Sequence, residues 1–277
     1  MLATLGDLID DVVIRVADPL NLASDTDAVI VRRPGGSAAN VARAAARTGA
    51  SVRFIGQVGD DAVGAALVEE MAAAGVDVSC VRRGGRTGTI AVLVDGTGER
   101  TMLTDRGACA ELDEPVEIWL DGVDVLHVPM YSLWGGATAT TAGTALGWAA
   151  ERHIAISVDL SSTALLRRVG VDAVRDLLER VRPDVVFANA DEAETFDIGA
   201  PVAGALTIVK QGSRPTRCLR ADGAEFVVAV DPIDGPVDST GAGDAFAAGF
   251  LTAPWRDDPR AAVVAGHDVA RAHLTAR

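Results

Sequence analysis

Short apolar runs alternate with alanine-rich amphipathic stretches along most of this chain. Apolar runs at Val52–Val58 and at residues 123–128, 154–159, 185–188 and 206–210 read as buried strands. The segments between several of them, at residues 62–74, 138–152, Val171–Val181 and 191–196, carry helical spacing, and Gly75 supplies a stop for the first. Strand and helix in alternation predict βαβ units and an α/β fold, with a mostly parallel central sheet flanked by helices. Two segments break that rhythm. Residues 11–33 hold two β-like runs, at 12–16 and 28–31, and residues 88–104 read as a hairpin in which Ile90, Val92 and Val94 alternate before the turn at Asp95-Gly96-Thr97-Gly98. These strands predict either a small second layer over a site or edge strands of the main sheet, and periodicity does not separate the two.

The 277 residues are 49% hydrophobic and 23% charged, which suits one large domain over 1–277. A net charge of −14 argues against a partner of nucleic acid. No apolar run approaches the roughly 20 residues of a membrane span. The start, Met1-Leu-Ala-Thr-Leu-Gly-Asp, has no basic leader pattern, and three scattered cysteines (Cys80, Cys109, Cys218) form no paired motif, so a cytoplasmic location is expected.

Candidate chemistry concentrates at residues 238–246, Asp-Ser-Thr-Gly-Ala-Gly-Asp-Ala-Phe. Gly241, Ala242 and Gly243 bring backbone close to a ligand, and a helix starting there would aim free N–H groups at an anion. Asp244 stands beside that turn as a proton acceptor, and an anion hole next to a base is what phosphoryl transfer to a hydroxyl needs. A capped glycine-rich turn is the alternative. Phe246 and Phe250 fall at i and i+4, so the helix that follows buries one face. Lys210, the only lysine of the chain, precedes Gly212-Ser213 after a strand, a position that suggests a role for its charge. Asn189 and Glu192, three apart after another strand, read by themselves as a helix N-terminus.

These motifs, taken in order, resemble the ribokinase family of carbohydrate and nucleoside kinases, also called the phosphofructokinase-B family. The resemblance runs from about Gly6 to Leu251. It rests on residues 238–246 and on Gly35-Gly36-Ser37-Ala38-Ala39-Asn40 followed by Gly49, Gly56, Gly59-Asp60 and Gly64. It implies a ribokinase-like fold with a small β lid contributed by residues 12–33 and 88–104. It also implies an ATP-dependent phosphotransferase acting on a sugar or nucleoside hydroxyl, with Mg²⁺ and, as a further candidate, an activating monovalent cation. Asp244 then resembles the catalytic base, and Gly241, Ala242 and Gly243 the anion hole. Asp11, Gly35, Gly36 and Asn40 resemble the substrate grip, with adjacent Asp10 a competitor for the role of Asp11, in a segment from Gly6 that resembles the family's first strand. Asn189, Lys210, Gly212, Ser213, Thr240, Gly241 and Gly243 resemble the nucleotide side, and Glu192 a carboxylate that reaches the metal through water. A homodimer joined through the lid follows by analogy. The resemblance leaves open which sugar or nucleoside is used, and whether it already carries a phosphate for Arg100 or Arg106 to meet. Tyr131 and Trp134 are candidates for stacking on a base or for core packing, and His267 for adenine contact or for simple packing. A catalytically inactive family member acting as an interaction module is the rival reading. A dinucleotide oxidoreductase is disfavoured, since no G-x-G-x-x-G follows the first strand.

Overall fold

The computed structural model describes residues 1–17, 19–233 and 238–276. Asp18, inside the first lid segment, and Arg277 lie outside the described residues. In chain order the strands are β1 (Leu2–Leu5), β2 (Ile9–Arg15), β3 (Val29–Gly35), β4 (Val52–Val58), β5 (Asp77–Arg83), β6 (Thr89–Val94), β7 (Arg100–Asp105), β8 (Val125–Pro129), β9 (Ala155–Asp159), β10 (Val185–Asn189), β11 (Leu206–Gln211), β12 (Arg214–Leu219) and β13 (Glu225–Val228). The helices are α1 (Ser37–Arg47), α2 (Ala62–Ala73), α3 (Gly136–Glu151), α4 (Thr163–Val169), α5 (Val171–Val181), α6 (Ala190–Phe196), α7 (Ala242–Thr252) and α8 (Pro259–Thr275).

The larger sheet runs β13-β12-β11-β10-β9-β8-β1-β4-β5, parallel from β11 to β5 and antiparallel where β12 and β13 extend it. Its central strands are continuous apolar runs because helices cover both faces. One face packs its Leu126, Val128, Ile156 and Val186 among residues from α3, α4 and α5, and the other packs Phe54, Val185, Phe187 and Ile208 among residues from α1, α7 and α8. Phe246 and Phe250 of α7 are both buried, as their spacing predicts. α7 and α8 approach closely because Gly249 and Gly266 lie at the crossing: a Cβ on Gly249 would meet the Ala265 carbonyl at 2.5 Å.

A second sheet, β3-β2-β6-β7, stands apart from the first and settles the segments the periodicity left open. In one respect the expectation is corrected. The segment starting at Gly6 is not the first strand. That strand is β1, which ends at Leu5, while Asp10 and Asp11 sit on β2 of the small sheet. The turn at Gly6 lets the chain leave the large sheet for the small one. The 17-residue α8 packs along α7.

Gly36 joins the small sheet to α1 with φ 99°, and a Cβ there would lie 2.1 Å from the Asp7 carbonyl oxygen. Replacing it forces both a disfavoured backbone and a clash with main chain that cannot rotate away. Gly36→Ala is expected to lower stability by on the order of 2–3 kcal/mol, read by denaturant titration. An unchanged midpoint would refute the tight approach.

Candidate active site

The carboxyl ends of the parallel strands carry the polar groups, as open α/β sheets generally do. β9 ends on Asp159, β10 on Asn189, and Lys210 lies near the end of β11, in register with Asn189 and beside an irregularity in the pairing of β11 with β12. The Lys210 ammonium donates to Asp159 Oδ2 at 2.7 Å and lies 5.5 Å from the centre of the Phe187 ring. Burial alone would lower its pKa, but Asp159 and Glu192 more than reverse that and hold the lysine charged.

Asn189 and Glu192 form a capping box at the start of α6. Asn189 Oδ1 accepts from the Glu192 amide at 2.8 Å, Glu192 Oε2 accepts from the Asn189 amide at 2.8 Å, and Asn189 Nδ2 donates to Glu192 Oε1 at 2.8 Å. Both carboxylate oxygens are therefore bound within the motif. Burial, with the nearby Asp159 charge, pushes the Glu192 carboxyl up to about 7. Among the described residues no cluster of three or more His, Cys, Asp or Glu could enclose a metal ion. Asp159 and Glu192 around a single lysine still leave excess negative charge. That donor set fits a divalent cation held partly by phosphates and waters, not one caged by protein alone.

α7 begins across the site. Gly241, its N-cap, has φ 77° and no side chain caps the helix end. The Ala242 amide donates to the Ser239 carbonyl at 3.1 Å, so of the three turn residues it is committed to the turn itself. The amides of Gly241 and Gly243 make no backbone bond among the described residues. A Cβ on Gly243 would lie 3.2 Å from Lys210 Nζ, so the glycine keeps that turn close to the ammonium.

Asp244, in the first turn of α7, accepts from Ser37 Oγ at 2.7 Å and from Asn40 Nδ2 at 2.9 Å. These donors come from α1, which packs against α7. Burial pushes the Asp244 carboxyl up to about 6, against the lowering effect of the two hydrogen bonds, with Asp159 adding to the rise and Lys210 opposing it. Asn40, expected on the substrate side, thus holds the Asp244 carboxylate directly.

The small sheet delivers the other carboxylate and separates the two candidates. Asp10 is 3% exposed and taken by Arg32, at 3.0 Å from Nε and 2.5 Å from Nη2. Asp11 points the other way. Its Oδ1 is buried with no hydrogen-bond partner among the described residues, and burial pushes its carboxyl up to about 6. A Cβ on Gly35 would sit 2.3 Å from that carboxylate, so Gly35 makes its room. Asp11 and Asn40 line one cleft with Thr240 and Gly241.

Gly212 and Ser213 form the exposed turn between β11 and β12, where a Cβ on Gly212 meets nothing within 4 Å. Arg100 and Arg106 are both engaged within the protein. Arg106 forks onto Asp7 at 2.6 and 2.9 Å, and Arg100 binds Asp238 Oδ1 at 2.6 Å and also contacts Thr240 Oγ1. Bonds from Thr240 and Arg100 outweigh burial and hold the Asp238 carboxyl well below the usual range. His267 is packed, bonded to Thr216 at 2.8 Å and tilted against Phe246. Tyr131 and Trp134, at 38% and 37% exposed, are not core residues.

The profile of the pfkB family of carbohydrate kinases matches residues 1–277. The chain belongs to that family. An ATP-dependent ribose-1-phosphate kinase from Halopiger xanaduensis is 34% identical over 81% of this chain and 74% of its own length. A fructokinase from Escherichia coli is 31% identical over 84% of this chain and 80% of its own. The adenosine kinase structure from Sinorhizobium meliloti superposes with a TM-score of 0.83 at 24% identity, over 99% of this chain and 93% of that one. The fold is therefore ribokinase-like, and the protein is a carbohydrate kinase. No helix among the described residues is long and apolar enough to cross a membrane.

Three residues of this kinase's site escaped the sequence reading: Asp159, Ser37 and Arg33. Asp159 closes a strand whose end faces the site, a position that could have singled it out. Ser37 lies inside the Gly35–Asn40 motif, where nothing local marks its hydroxyl for a bond to Asp244. Arg33 reaches Asp238 at 3.9 Å from β3, a pairing across 205 residues that no local pattern carries.

Proposed function

We propose that this kinase transfers the terminal phosphoryl group of ATP to a sugar hydroxyl, with Asp244 accepting the hydroxyl proton. The observation that carries the reading is the Asp244 carboxylate itself: raised in pKa, fixed by Ser37 and Asn40, and adjacent to the free amides of Gly241 and Gly243. A base with a pKa near 6 is ionised at neutral pH and still basic enough to help a hydroxyl attack. The Gly241 and Gly243 amides, with Lys210 behind them, would offset charge on the transferring phosphoryl group. Mg²⁺, bound with the nucleotide, would neutralise phosphate charge on the Asp159 and Glu192 side, reached through water because the capping box occupies the Glu192 oxygens. Asp11 would accept hydrogen bonds from sugar hydroxyls through its unpartnered oxygen. The small sheet then acts as a lid, with Arg100 linking it to Asp238 and Thr240 at the glycine turn. Support for ATP as donor comes also from the ATP-dependent Halopiger relative.

A nucleoside acceptor is the second reading. It is favoured by Tyr131 and Trp134, exposed just beyond β8 at the carboxyl edge, where a base could stack. Residues exposed on the small sheet, Ile30 and Leu103, support pairing of two copies through that layer.

The pH profile tests the base. Asp244 and Asp11 are raised to about 6 and Glu192 to about 7. Below those values each gains a proton, Asp244 loses its basicity and the charge balance at the phosphate side changes. The expected acid limb of kcat/KM therefore falls between pH 7 and 6, steeper than one proton would give. Ser37→Ala or Asn40→Ala removes a bond that lowers the Asp244 pKa, so either shifts the limb to higher pH. A limb near pH 4, unmoved by those changes, would show that Asp244 is not the group titrating.

A further inference from the structure

α7 and α8 run antiparallel through a close crossing. A Cβ on Gly249 would meet the Ala265 carbonyl oxygen at 2.5 Å, and one on Gly266 would meet the Phe246 carbonyl oxygen at 2.9 Å. These contacts set which residues of the two helices face each other, and they bring the last turn of α8 to the glycine turn that starts α7. There His273 Nε2 lies 2.9 Å from the Thr240 carbonyl oxygen. A carbonyl oxygen only accepts, so Nε2 carries a hydrogen and donates it. The same end of α8 also holds the chain that leads toward the turn, since Arg271 Nη2 donates to the carbonyls of Asp231 and Pro232 at 2.8 and 3.2 Å.

The bond to Thr240 acts on one particular peptide. Ser239 to Ala242 form a β-turn, closed by the Ala242 amide on the Ser239 carbonyl at 3.1 Å. Gly241, its third residue, has φ 77° and ψ 0°, the values of a type II turn. Types I and II share the same closing bond and differ in which way the central peptide faces. Here that peptide joins Thr240 to Gly241. It is planar and trans, so the Thr240 carbonyl and the Gly241 N–H point in opposite directions. With the carbonyl turned to His273, the N–H is turned away from α8, and it makes no hydrogen bond among the described residues. The other two bonds on Thr240 do not fix that choice. Its amide donates to Asp238 Oδ1 at 3.0 Å and its hydroxyl meets Arg100, but both groups precede the ψ rotation that turns the peptide over. Glycine accepts either sign of φ, so Gly241 does not resist the flip. A flipped peptide would present a carbonyl oxygen where an anion needs a donor.

We propose that His273 is a positioning residue for phosphoryl transfer: its bond to the Thr240 carbonyl holds the Ser239–Ala242 turn in the type II form and so keeps the Gly241 N–H directed at the transferring group. This rests on the kinase reading above. His273 touches no reacting atom and takes no proton in the step. The donor it orients counts most as charge builds on the phosphoryl group, so its loss falls on kcat more than on KM.

The test compares wild type with His273→Phe, which keeps a ring without a donor, with His273→Leu as a second donorless variant, and with His273→Gln, whose amide nitrogen can donate to the same carbonyl. Both donorless variants are expected to lower kcat about 10- to 100-fold with KM for ATP and for the acceptor little changed, and the glutamine variant to recover most of that loss. A second readout needs no turnover. Mg²⁺, ADP and fluoroaluminate together mimic the phosphoryl group in transfer and are expected to raise the Tm of the wild type and of His273→Gln, while the donorless variants lose most of that rise yet keep the one given by a non-hydrolysable ATP analogue. A donorless variant with kcat within about twofold of wild type would overturn the inference, as would a glutamine variant no better than the phenylalanine one, or a loss confined to KM. Equal stabilisation of all four proteins by the fluoroaluminate mixture would overturn it too. Failure of the kinase reading looks different: no acceptor would then stimulate ADP formation even in the wild type.

Discussion

Asp244→Asn is expected to lower kcat by on the order of 10²–10⁴ while leaving the fold intact. The substitution keeps the shape of the side chain and its place in the first turn of α7, and Ser37 Oγ can still donate to an amide oxygen. What it removes is the ability to accept a proton from the attacking hydroxyl. The carboxylate is also costly where it stands, since burial raises its pKa to about 6. A neutral amide escapes that cost, so at neutral pH the variant should melt no lower than the wild type. Lost turnover together with retained or raised thermal stability separates a chemical role from a structural one. If Asp244 served only to cap α7, the reverse pattern would appear: a modest loss of stability with turnover largely preserved.

Lys210→Ala should be the most damaging single change to both stability and activity. The ammonium lies between Asp159 and Glu192, which are 5% and 2% exposed, and it donates to Asp159 at 2.7 Å. Removing it leaves two buried carboxylates without their cation, a situation that typically costs about 3–5 kcal/mol. Lys210→Met fills more of the space over Phe187 but restores no charge, so it should recover little. A second substitution that removes the repulsion, Asp159→Asn, should recover part of the stability lost in Lys210→Ala without recovering turnover, because the charge beside Gly243 is still missing. Denaturant titration of the single and double variants measures this coupling. Strict additivity of the two substitutions would contradict the charge cluster.

Much of the architecture is legible in the pattern of apolar residues because local periodicity encodes local structure. Val52–Val58 and Val171–Val181 form as predicted, and other predicted elements differ from the observed ones by a few residues at their ends. The sheet to which a strand belongs is another matter. β2 and β6 pair in parallel across some eighty residues of chain, and nothing in either run of side chains names its partner. The same limit applies to the site. The glycine turn and Asp244 stand out because backbone approach and charge are compressed into nine positions. By contrast, the fork of Arg106 on Asp7, the pairing of Lys210 with Asp159 and the grip of Ser37 and Asn40 on Asp244 join residues from 51 to 207 positions apart. Asp10 and Asp11 are alike as letters and opposite in fate, since adjacent residues on a strand face opposite sides. Only the pairing of Asp10 with Arg32 shows which of them keeps a buried oxygen without a partner among the described residues.

Proton transfer to Asp244 is tested most directly by sugar-dependent ADP formation from ATP and Mg²⁺ over a panel of sugars, sugar phosphates and nucleosides, run side by side with wild type and Asp244→Asn. The predicted result is one preferred acceptor, one ADP formed per phosphorylated product, and activity reduced by two or more orders of magnitude in the variant although it still binds that acceptor in a thermal-shift assay. Full activity in Asp244→Asn, or ADP formation that no acceptor stimulates, would contradict it.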